Sequence, residues 1–252
     1  MLDALRLSVG TLTIVPAGAI DEIDRRTAAK AMIIAPLAVL PSAVAVALVG
    51  WLGWIAGLPA MAVGLLVVGG LALASRALHL DGLADTIDGF GSGWTAERSL
   101  TVMRRGDVGP MGVVALIVVI GLQAVAIGEL IQGLAGALLV GVVVCCSRAA
   151  LCLTCMRGVP AARNDGLGVA VAGSVPRAAA AGCWFGVLLI MIAAAWLSGH
   201  RPSSGALATV AAALLVVLLI YRCVRRLGGV TGDVMGAAIE IAFTVMIIVM
   251  II

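Results

Sequence analysis

Charged side chains are scarce in this sequence. Only 12% of its 252 residues are charged, and 63% are hydrophobic, whereas about 25% of an ordinary soluble domain is charged. A fold whose only solvent is water is therefore excluded. The chain also lacks the roughly 10-residue segments of alternating polarity that are typical of a membrane β-barrel.

Linkers, internal repeats and separate polar domains are also missing. Residues 1–18 lack the charged start and apolar block of a removable targeting segment, so we expect them to remain as an amphipathic interfacial piece. Its apolar face would consist of Leu2, Leu5, Val9 and Leu12. We expect an all-α membrane bundle that forms one transmembrane catalytic domain over residues 1–252.

Long apolar segments are abundant instead, and several reach the roughly 18 residues that a spanning helix needs. The hydropathy pattern predicts seven transmembrane helices, at 32–53, 58–77, 110–131, 136–156, 181–198, 205–221 and 233–252. With the N-terminus in the cytoplasm, all of the 16 Lys and Arg residues except Arg201 fall on the cytoplasmic side. The outer connections are then very short, so we expect the chemistry at the cytoplasmic face.

The net charge of +3 is dispersed among the connections and indicates no nucleic-acid partner. Six cysteines lie in or beside apolar segments. Cys152 and Cys155 form a CxxC pair without neighbouring histidines, so we interpret them as small buried side chains rather than a metal or redox site.

The most informative segment is HLDGLADTIDG, residues 79–89. On a helix, Asp81, Asp85 and Asp88 would share one face at spacing i, i+4 and i+7, where like charges repel. Mg²⁺ would relieve that repulsion, and it commonly joins one or two carboxylates to substrate phosphate oxygens. The segment therefore favours metal-assisted phosphoryl chemistry at these three aspartates, with a helix cap and solvated acidic turn as the alternative.

Basic residues that could bind phosphate follow in the sequence. Arg104, Arg105 and Asp107 precede the span at 110–131, beside glycines that allow close backbone approach. Anchoring at the membrane surface is the alternative for these arginines. Ser147-Arg148 lies inside a predicted span, where a charge normally faces a protein interior, so Arg148 needs an acidic or phosphate partner unless it reaches the surface.

Polar residues also mark the start of the last span. Thr231 precedes Asp233 and Glu240, which are seven residues apart on one helical face, and Glu240 would lie about 10 Å into the helix. Asp233 alone could be a favourable first-turn acid. Gly166 and Gly168 belong to a polar turn with little information of its own. His79 could bind substrate, transfer a proton or be a satisfied interface histidine.

In combination, four segments resemble the motif series of the cobalamin synthase (adenosylcobinamide-GDP ribazoletransferase) family. They are residues 79–89, Ser147-Arg148, Gly166-Leu167-Gly168 and residues 229–240, in matching order over almost the whole chain. One departure is Arg105-Gly106-Asp107, where the family often has Asp-Ser-Arg.

The resemblance implies a bacterial inner-membrane enzyme that requires Mg²⁺. It would join adenosylcobinamide-GDP to α-ribazole or its 5′-phosphate, giving adenosylcobalamin or its phosphate and GMP. His79, Arg104, Arg105, Asp107, Ser147, Arg148, Gly166, Gly168 and Thr231 would contact substrate. Asp233 or Glu240 would complete the metal shell or act as general base. A homo-oligomer is left open.

Two other functions compete with this interpretation. A CDP-alcohol phosphotransferase also combines a membrane bundle with a DGxxD-type aspartate array, but its array usually continues with Ala-Arg and ends in two further aspartates. An ion-coupled transporter would use Asp233, Glu240 and Arg148 as intramembrane relay residues. The clustering of acids at one membrane face and the lack of a repeat disfavour a transporter.

Overall fold

A computed structural model describes residues 1–18, 20, 23–93 and 95–252, and these residues form fourteen helices. They are α1 Leu2–Leu12, α2 Arg25–Ile33, α3 Ala35–Ala38, α4 Leu40–Ile55, α5 Ala60–Ala74, α6 Leu78–Gly91, α7 Ala96–Val102, α8 Pro110–Leu130, α9 Leu134–Ser147, α10 Ala150–Thr154, α11 Gly166–Val171, α12 Arg177–Leu197, α13 Pro202–Leu227 and α14 Gly232–Met250. The prediction of an all-α membrane bundle is confirmed.

Five segments are long and apolar enough to cross a membrane, and they correspond to the last five predicted spans. They are α8, α9 with α10, α12, α13 and α14. The pair α5 and α6 would add a sixth, but it bends by 91° between Ala74 and Leu78. The first predicted span, 32–53, is divided at Pro36 and Pro41 into parts of α2, α3 and α4, of which α4 has 16 residues. The count of seven and the cytoplasmic N-terminus stay predictions.

The last helix, α14, occupies the middle of the bundle, because it packs against α6, α8, α9, α10 and α13. Its apolar side chains are largely buried, including Phe243 and Met246. The connections at the far ends of α8 and α12 are short turns, as predicted. The longer connections lie at the opposite end, where α8 and α14 begin, and this end is called the α6 end below.

The turn between α5 and α6 has a strained backbone. Arg76 and Ala77 both have left-handed backbone angles, with φ of 55° and 56°, which cost an L-residue roughly 1–2 kcal/mol each. The turn is held by hydrogen bonds, since the Ala77 N–H donates to Ala72 O at 2.6 Å and the Arg76 guanidinium donates to Gly10 O at 3.0 Å. α6 is thereby directed across the starts of α8 and α14.

The N-terminal segment forms a helix, α1, that packs on α2 and α3. Its buried face consists of Ala4, Leu7, Ser8 and Leu12, whereas Leu2 and Leu5 are exposed. The apolar face predicted from the leucine spacing is therefore only partly the face that packs on the bundle, because the small Ala4 and Ser8 allow closer contact between helices than leucines would.

Candidate active site

The three aspartates of α6 lie on one face of a helix, as their spacing predicted, but their environments differ. Asp81 is exposed, whereas Asp85 and Asp88 are 8% and 6% exposed. α6 packs on both α8 and α14. Asp88 contacts the start of α8, and Asp81 and Asp85 lie close to Asp233 at the start of α14. The acidic segment therefore connects two spanning helices.

Asp88 binds the N-terminus of α8 with both of its carboxylate oxygens. Oδ2 accepts a hydrogen bond from the Gly109 N–H at 2.7 Å, and Oδ1 accepts one from the Gly112 N–H at 2.9 Å. A β-carbon at Gly112 would collide with this carboxylate. A carboxylate here is stabilised by the helix dipole and satisfies two backbone donors that α8 itself leaves unpaired. The sequence predicted that these glycines allow another group to approach the backbone closely. In the structure the group that approaches them is the Asp88 side chain.

Two glycines bring α6 into backbone contact with α14. A β-carbon at Gly82 would lie 2.6 Å from Asp233 O, and one at Gly236 would lie 3.1 Å from the Cα of His79. The distance at Gly82 leaves no room for a side chain unless backbone moves, and the distance at Gly236 is tighter than an ordinary van der Waals contact. The two HLDGLAD and TGDVMG segments are therefore packed directly against each other.

Thr231 and Asp233 form the start of α14 together with an arginine from another loop. The Thr231 hydroxyl caps the helix by accepting from Val234 N–H at 3.3 Å, and it donates to Asp233 Oδ2 at 3.1 Å. Arg163 Nη1 lies 3.5 Å from the same oxygen, and its Nη2 donates to Leu100 O at 3.1 Å. Arg163 is only partly exposed and its Nε has no hydrogen-bond partner in the described part of the protein.

Asp85 lies among three acids and one cation. Burial acts most strongly against its ionised form, the charges of Asp81, Asp233 and Asp88 add to this effect, and the Arg163 guanidinium favours the ionised form. Within the described ranges, no hydrogen bond reaches its carboxylate. A buried carboxylate with acidic neighbours and one cation is suited to binding a further cation.

No group of three or more His, Cys, Asp or Glu side chains among the described residues is arranged to hold a metal ion. Asp81 and Asp85 nevertheless suit Mg²⁺, which commonly takes two carboxylates and completes its shell with water and substrate oxygens. Asp88 differs, because its oxygens already accept from α8. Its predicted role as a third metal ligand stays a prediction.

Ser147 and Arg148 lie at a break between α9 and α10. Arg148 Nη1 donates to Val144 O and Ser147 Oγ, both at 2.8 Å, and the Trp184 indole donates to Ala149 O at 3.1 Å. The Arg148 side chain thereby satisfies Val144 O, because the Arg148 N–H donates to Cys145 O at the break. Arg148 is buried, as predicted, and its Nε is unpaired among the described residues.

Glu240 is the acidic group that Arg148 interacts with electrostatically, but they do not form an ion pair within the described chain. Instead, Glu240 Oε2 accepts from the Gln123 side-chain amide at 2.8 Å, and the same amide nitrogen lies 2.9 Å from Thr244 Oγ1. Gln123 is 1% exposed. Glu240 is therefore held inside the bundle, about two helical turns below Asp233.

Arg104 lies on the surface of the site, where its Nη2 donates to both carboxylate oxygens of Asp165 at 2.9 and 2.8 Å. Arg105 and Asp107 are exposed on the same loop. Gly166, with φ of 76°, opens α11, and a β-carbon at Gly168 would lie 3.3 Å from the Cα of Thr231. The predicted Gly166–Gly168 turn is thus packed against the motif that begins α14.

Two cavities meet at Asp233. One of about 480 Å³ is lined by Arg104, Arg163 and Asp233, together with the Gly166–Gly168 turn. A smaller one of about 180 Å³ is lined by Asp233, Asp81 and His79. The structure therefore gathers most of the predicted site around one concave region, while Arg105 and Asp107 are in the solvent and Glu240, Ser147 and Arg148 lie deeper.

His79 lies beneath the acidic pair, 5% exposed, and its Nε2 has no hydrogen-bond partner in the described residues. His79 is also one of the residues that line the smaller cavity, and a buried polar atom without a partner calls for an explanation. One alternative for His79 was a histidine whose ring nitrogens form hydrogen bonds within the protein. Nε2 forms no such bond with the described residues.

Residues 4–251 match the family model described as cobalamin-5-phosphate synthase. The chain belongs to the cobalamin-5-phosphate synthase family. The resemblance of the four sequence segments to this family is confirmed.

Several similar proteins carry the name adenosylcobinamide-GDP ribazoletransferase. A protein of Nocardioides sp. is 48% identical over 242 residues, which cover 96% of this chain and 95% of that protein. One of Frankia casuarinae is 36% identical over 99% of this chain and 94% of its own length, and one of Bradyrhizobium diazoefficiens is 33% identical over 92% and 87%. No solved structure matches the chain.

In this member of the cobalamin-5-phosphate synthase family, two residues of the site were not predicted from the sequence. They are Arg163 and Gln123. Arg163 reaches Asp233 from a loop 70 positions away, and nothing in a polar glycine-containing turn indicates that contact. Gln123 could have been identified from the sequence, because a polar side chain in the middle of an apolar span needs a hydrogen-bond partner there. Its partner proved to be Glu240.

Proposed function

We propose that this protein is a Mg²⁺-dependent adenosylcobinamide-GDP ribazoletransferase. It joins adenosylcobinamide-GDP to α-ribazole or α-ribazole 5′-phosphate, and it releases GMP and adenosylcobalamin or its 5′-phosphate. The observation that carries the proposal is the direct backbone packing of α6, at Gly82, against Asp233 in a chain that belongs to the cobalamin-5-phosphate synthase family. That packing combines acidic groups and Arg163 at a cavity, as phosphoryl transfer requires.

Asp81 and Asp85 would hold Mg²⁺ on the diphosphate of the substrate. When bound, the ion would neutralise phosphate charge and stabilise the leaving oxygen. Asp88 has another role in this proposal, since it ties α6 to the N-terminus of α8 and so fixes the position of Asp85.

Arg163 and Arg104 would bind phosphate oxygens from the wall of the larger cavity. Arg163 is the stronger candidate, because it is less exposed than Arg104 and already lies beside Asp233. Guanidinium groups hold phosphate through paired hydrogen bonds. Arg148 would instead maintain the α9–α10 break and compensate the charge of Glu240.

The reaction exchanges one phosphorus–oxygen bond for another. A hydroxyl oxygen of ribazole bonds to the phosphorus nearest the cobinamide arm, the bond from that phosphorus to the bridging oxygen breaks, and GMP leaves with that oxygen. Asp233 accepts the hydroxyl proton, because it lines both cavities, whereas Glu240 is held by Gln123 inside the bundle. His79, which lines the smaller cavity, would help to orient the attacking group.

The distribution of basic residues supports a location for this reaction. Basic residues gather at the α6 end, including Arg104 and Arg163 beside the site, and such residues favour the cytoplasmic side of a membrane. The site would then open to the cytoplasm from a bacterial inner membrane, where nucleotide substrates are found.

The experiment measures GMP release by the purified protein in liposomes supplied with adenosylcobinamide-GDP, α-ribazole and Mg²⁺. Wild-type protein should release GMP only when both Mg²⁺ and α-ribazole are present. Asp85→Asn should lower the rate by at least about 100-fold, in line with the loss of a group that acts on developing charge. Glu97→Gln, which alters an exposed acid on α7, should retain the wild-type rate. Folded wild-type protein that releases no GMP would refute the proposal and turn attention to lipid phosphotransfer.

A further inference from the structure

An arginine-rich groove lies at the C-terminal end of α13, away from the candidate active site. It consists of two adjoining cavities of about 400 Å³ and about 410 Å³, which share Phe90 and Arg222. The first is lined by Phe90 and three arginines of α13, Arg222, Arg225 and Arg226. The second continues between α8, α13 and α14 and is lined mainly by apolar side chains, including Val119, Leu215, Leu218 and Val245. The groove is therefore basic at one end and apolar along its length.

The arginines of this groove have different partners. Arg226 donates through Nη2 to Phe90 O at 3.2 Å and to Gly93 O, so it holds the end of α6. Arg222 and Arg225 are exposed, and neither forms an ion pair in the described part of the chain. The guanidinium of Arg225 lies over the Tyr221 ring, 5.8 Å from its centroid. Arg222 and Arg225 thus present two cations at the mouth of an apolar groove.

The positive-inside rule accounts for arginines at this end of a spanning helix, but it does not require a groove beside them. Leu215 and Leu218 are 42% and 48% exposed on α13, a helix long and apolar enough to span a membrane. These two side chains would lie in the hydrocarbon, one to three helical turns from the arginines that reach the headgroup level. A ligand that fits both regions carries an anionic group and an apolar chain.

We infer that the groove binds an anionic phospholipid. Its phosphate would be held by Arg222 and Arg225, and one acyl chain would lie against Leu215, Leu218 and Val119. Basic pockets between spanning helices bind anionic headgroups in this way, and arginine pairs well with phosphate. A soluble phosphate compound would leave the apolar part unused, and a lipid with no net charge would leave the two arginines uncompensated. The lipid would also contact Phe90, two positions after Asp88 on α6.

The test is native mass spectrometry of the full-length protein in mild detergent, titrated with phosphatidylglycerol or with phosphatidylcholine of the same acyl chains. Phosphatidylglycerol should bind wild-type protein several-fold more tightly. Each arginine near the membrane surface contributes about 1 kcal/mol, or about fivefold, so Arg222→Gln with Arg225→Gln should weaken phosphatidylglycerol binding by about 25-fold. The matched control is Arg25→Gln with Arg26→Gln, which removes two exposed arginines of α2 and should change binding less than twofold.

A second variant tests the apolar half of the groove without changing its charge. Leu218→Gln should weaken binding of phosphatidylglycerol severalfold, and glycerol 3-phosphate in excess should not displace the lipid. The inference is overturned if the arginine pair variant binds phosphatidylglycerol as wild type does, or if both lipids bind equally well. Displacement by glycerol 3-phosphate, with no effect of Leu218→Gln, would show a site for soluble phosphate instead.

Discussion

The role of Asp88 can be separated from that of Asp85 by measuring stability and metal binding in the same variants. Asp88 accepts two hydrogen bonds from the N-terminus of α8, at 2.7 and 2.9 Å. Hydrogen bonds to a charged group are worth roughly 1.5–3 kcal/mol each, and a favourable helix dipole adds about 0.3–1 kcal/mol. Replacing this carboxylate should therefore destabilise the junction of α6 and α8.

Asparagine keeps one acceptor oxygen at position 88 but turns an NH₂ group toward the second backbone donor. We expect Asp88→Asn to lower the free energy of unfolding by about 2–3 kcal/mol, and Asp88→Ala, which leaves both donors unpaired, by about 3–5 kcal/mol. Asp85→Asn removes a carboxylate whose negative charge is opposed by burial and by three neighbouring acids. Its stability should be unchanged or higher by up to about 1 kcal/mol.

The assay is reversible unfolding in mixed micelles with increasing sodium dodecyl sulfate, followed by tryptophan fluorescence. Isothermal titration with Mg²⁺ is run on the same samples. Asp85→Asn should lose Mg²⁺ binding and keep its stability, while Asp88→Asn should lose stability and bind Mg²⁺ when folded. If Asp88→Asn is as stable as wild type and loses Mg²⁺ binding, Asp88 is a metal ligand and the division of roles is wrong.

Three further substitutions test the packing of the site. Gly82→Ala places a methyl group 2.6 Å from Asp233 O, so it should separate α6 from α14 and lower GMP release by more than about 10-fold, a geometric cost of the kind that small misplacements cause. Gln123→Leu leaves Glu240 without its donor and should cost roughly 1–3 kcal/mol in the unfolding assay. Ala77→Gly relieves a left-handed residue and should raise stability by up to about 1 kcal/mol.

Each substitution has a matched control or an opposing result. Gly69→Ala adds a methyl group where no atom lies within 4 Å, and it should leave GMP release unchanged. Gln132→Leu alters an exposed glutamine at the end of the bundle away from the site and should have little effect on stability. Loss of stability in Ala77→Gly would contradict the strain inferred at the α5–α6 turn.

The part of the site that depends on regular spacing along a helix could be predicted from the sequence. The positions of Asp81, Asp85 and Asp88 follow the helical period, and α6 places them on one face. Burial of Arg148 was predictable too, since it stands deep in an apolar segment. These features depend on neighbours along the chain or on the membrane as a solvent.

Contacts between distant segments could not be predicted in the same way. Nothing local indicates that Asp88 will bind the start of α8 or that Arg163 will reach Asp233. The bend at Arg76 and Ala77 was also unmarked, because a left-handed turn usually carries glycine and the predicted span ran through it. Its conformation depends on hydrogen bonds to other residues, including that from Arg76 to Gly10 O.

The central position of α14 has a consequence for biosynthesis, because α14 is made after the thirteen helices that precede it and supplies partners for segments made much earlier. Gln123 donates to Glu240, which is made 117 positions later in the chain, and Arg163 pairs with Asp233, which is made 70 positions later. Until α14 is made, these polar groups lack the partners that they have in the finished bundle. A chain that stops before Gly232 should therefore be recognised and degraded as incomplete, and the catalytic groups should never be assembled in a partly made protein.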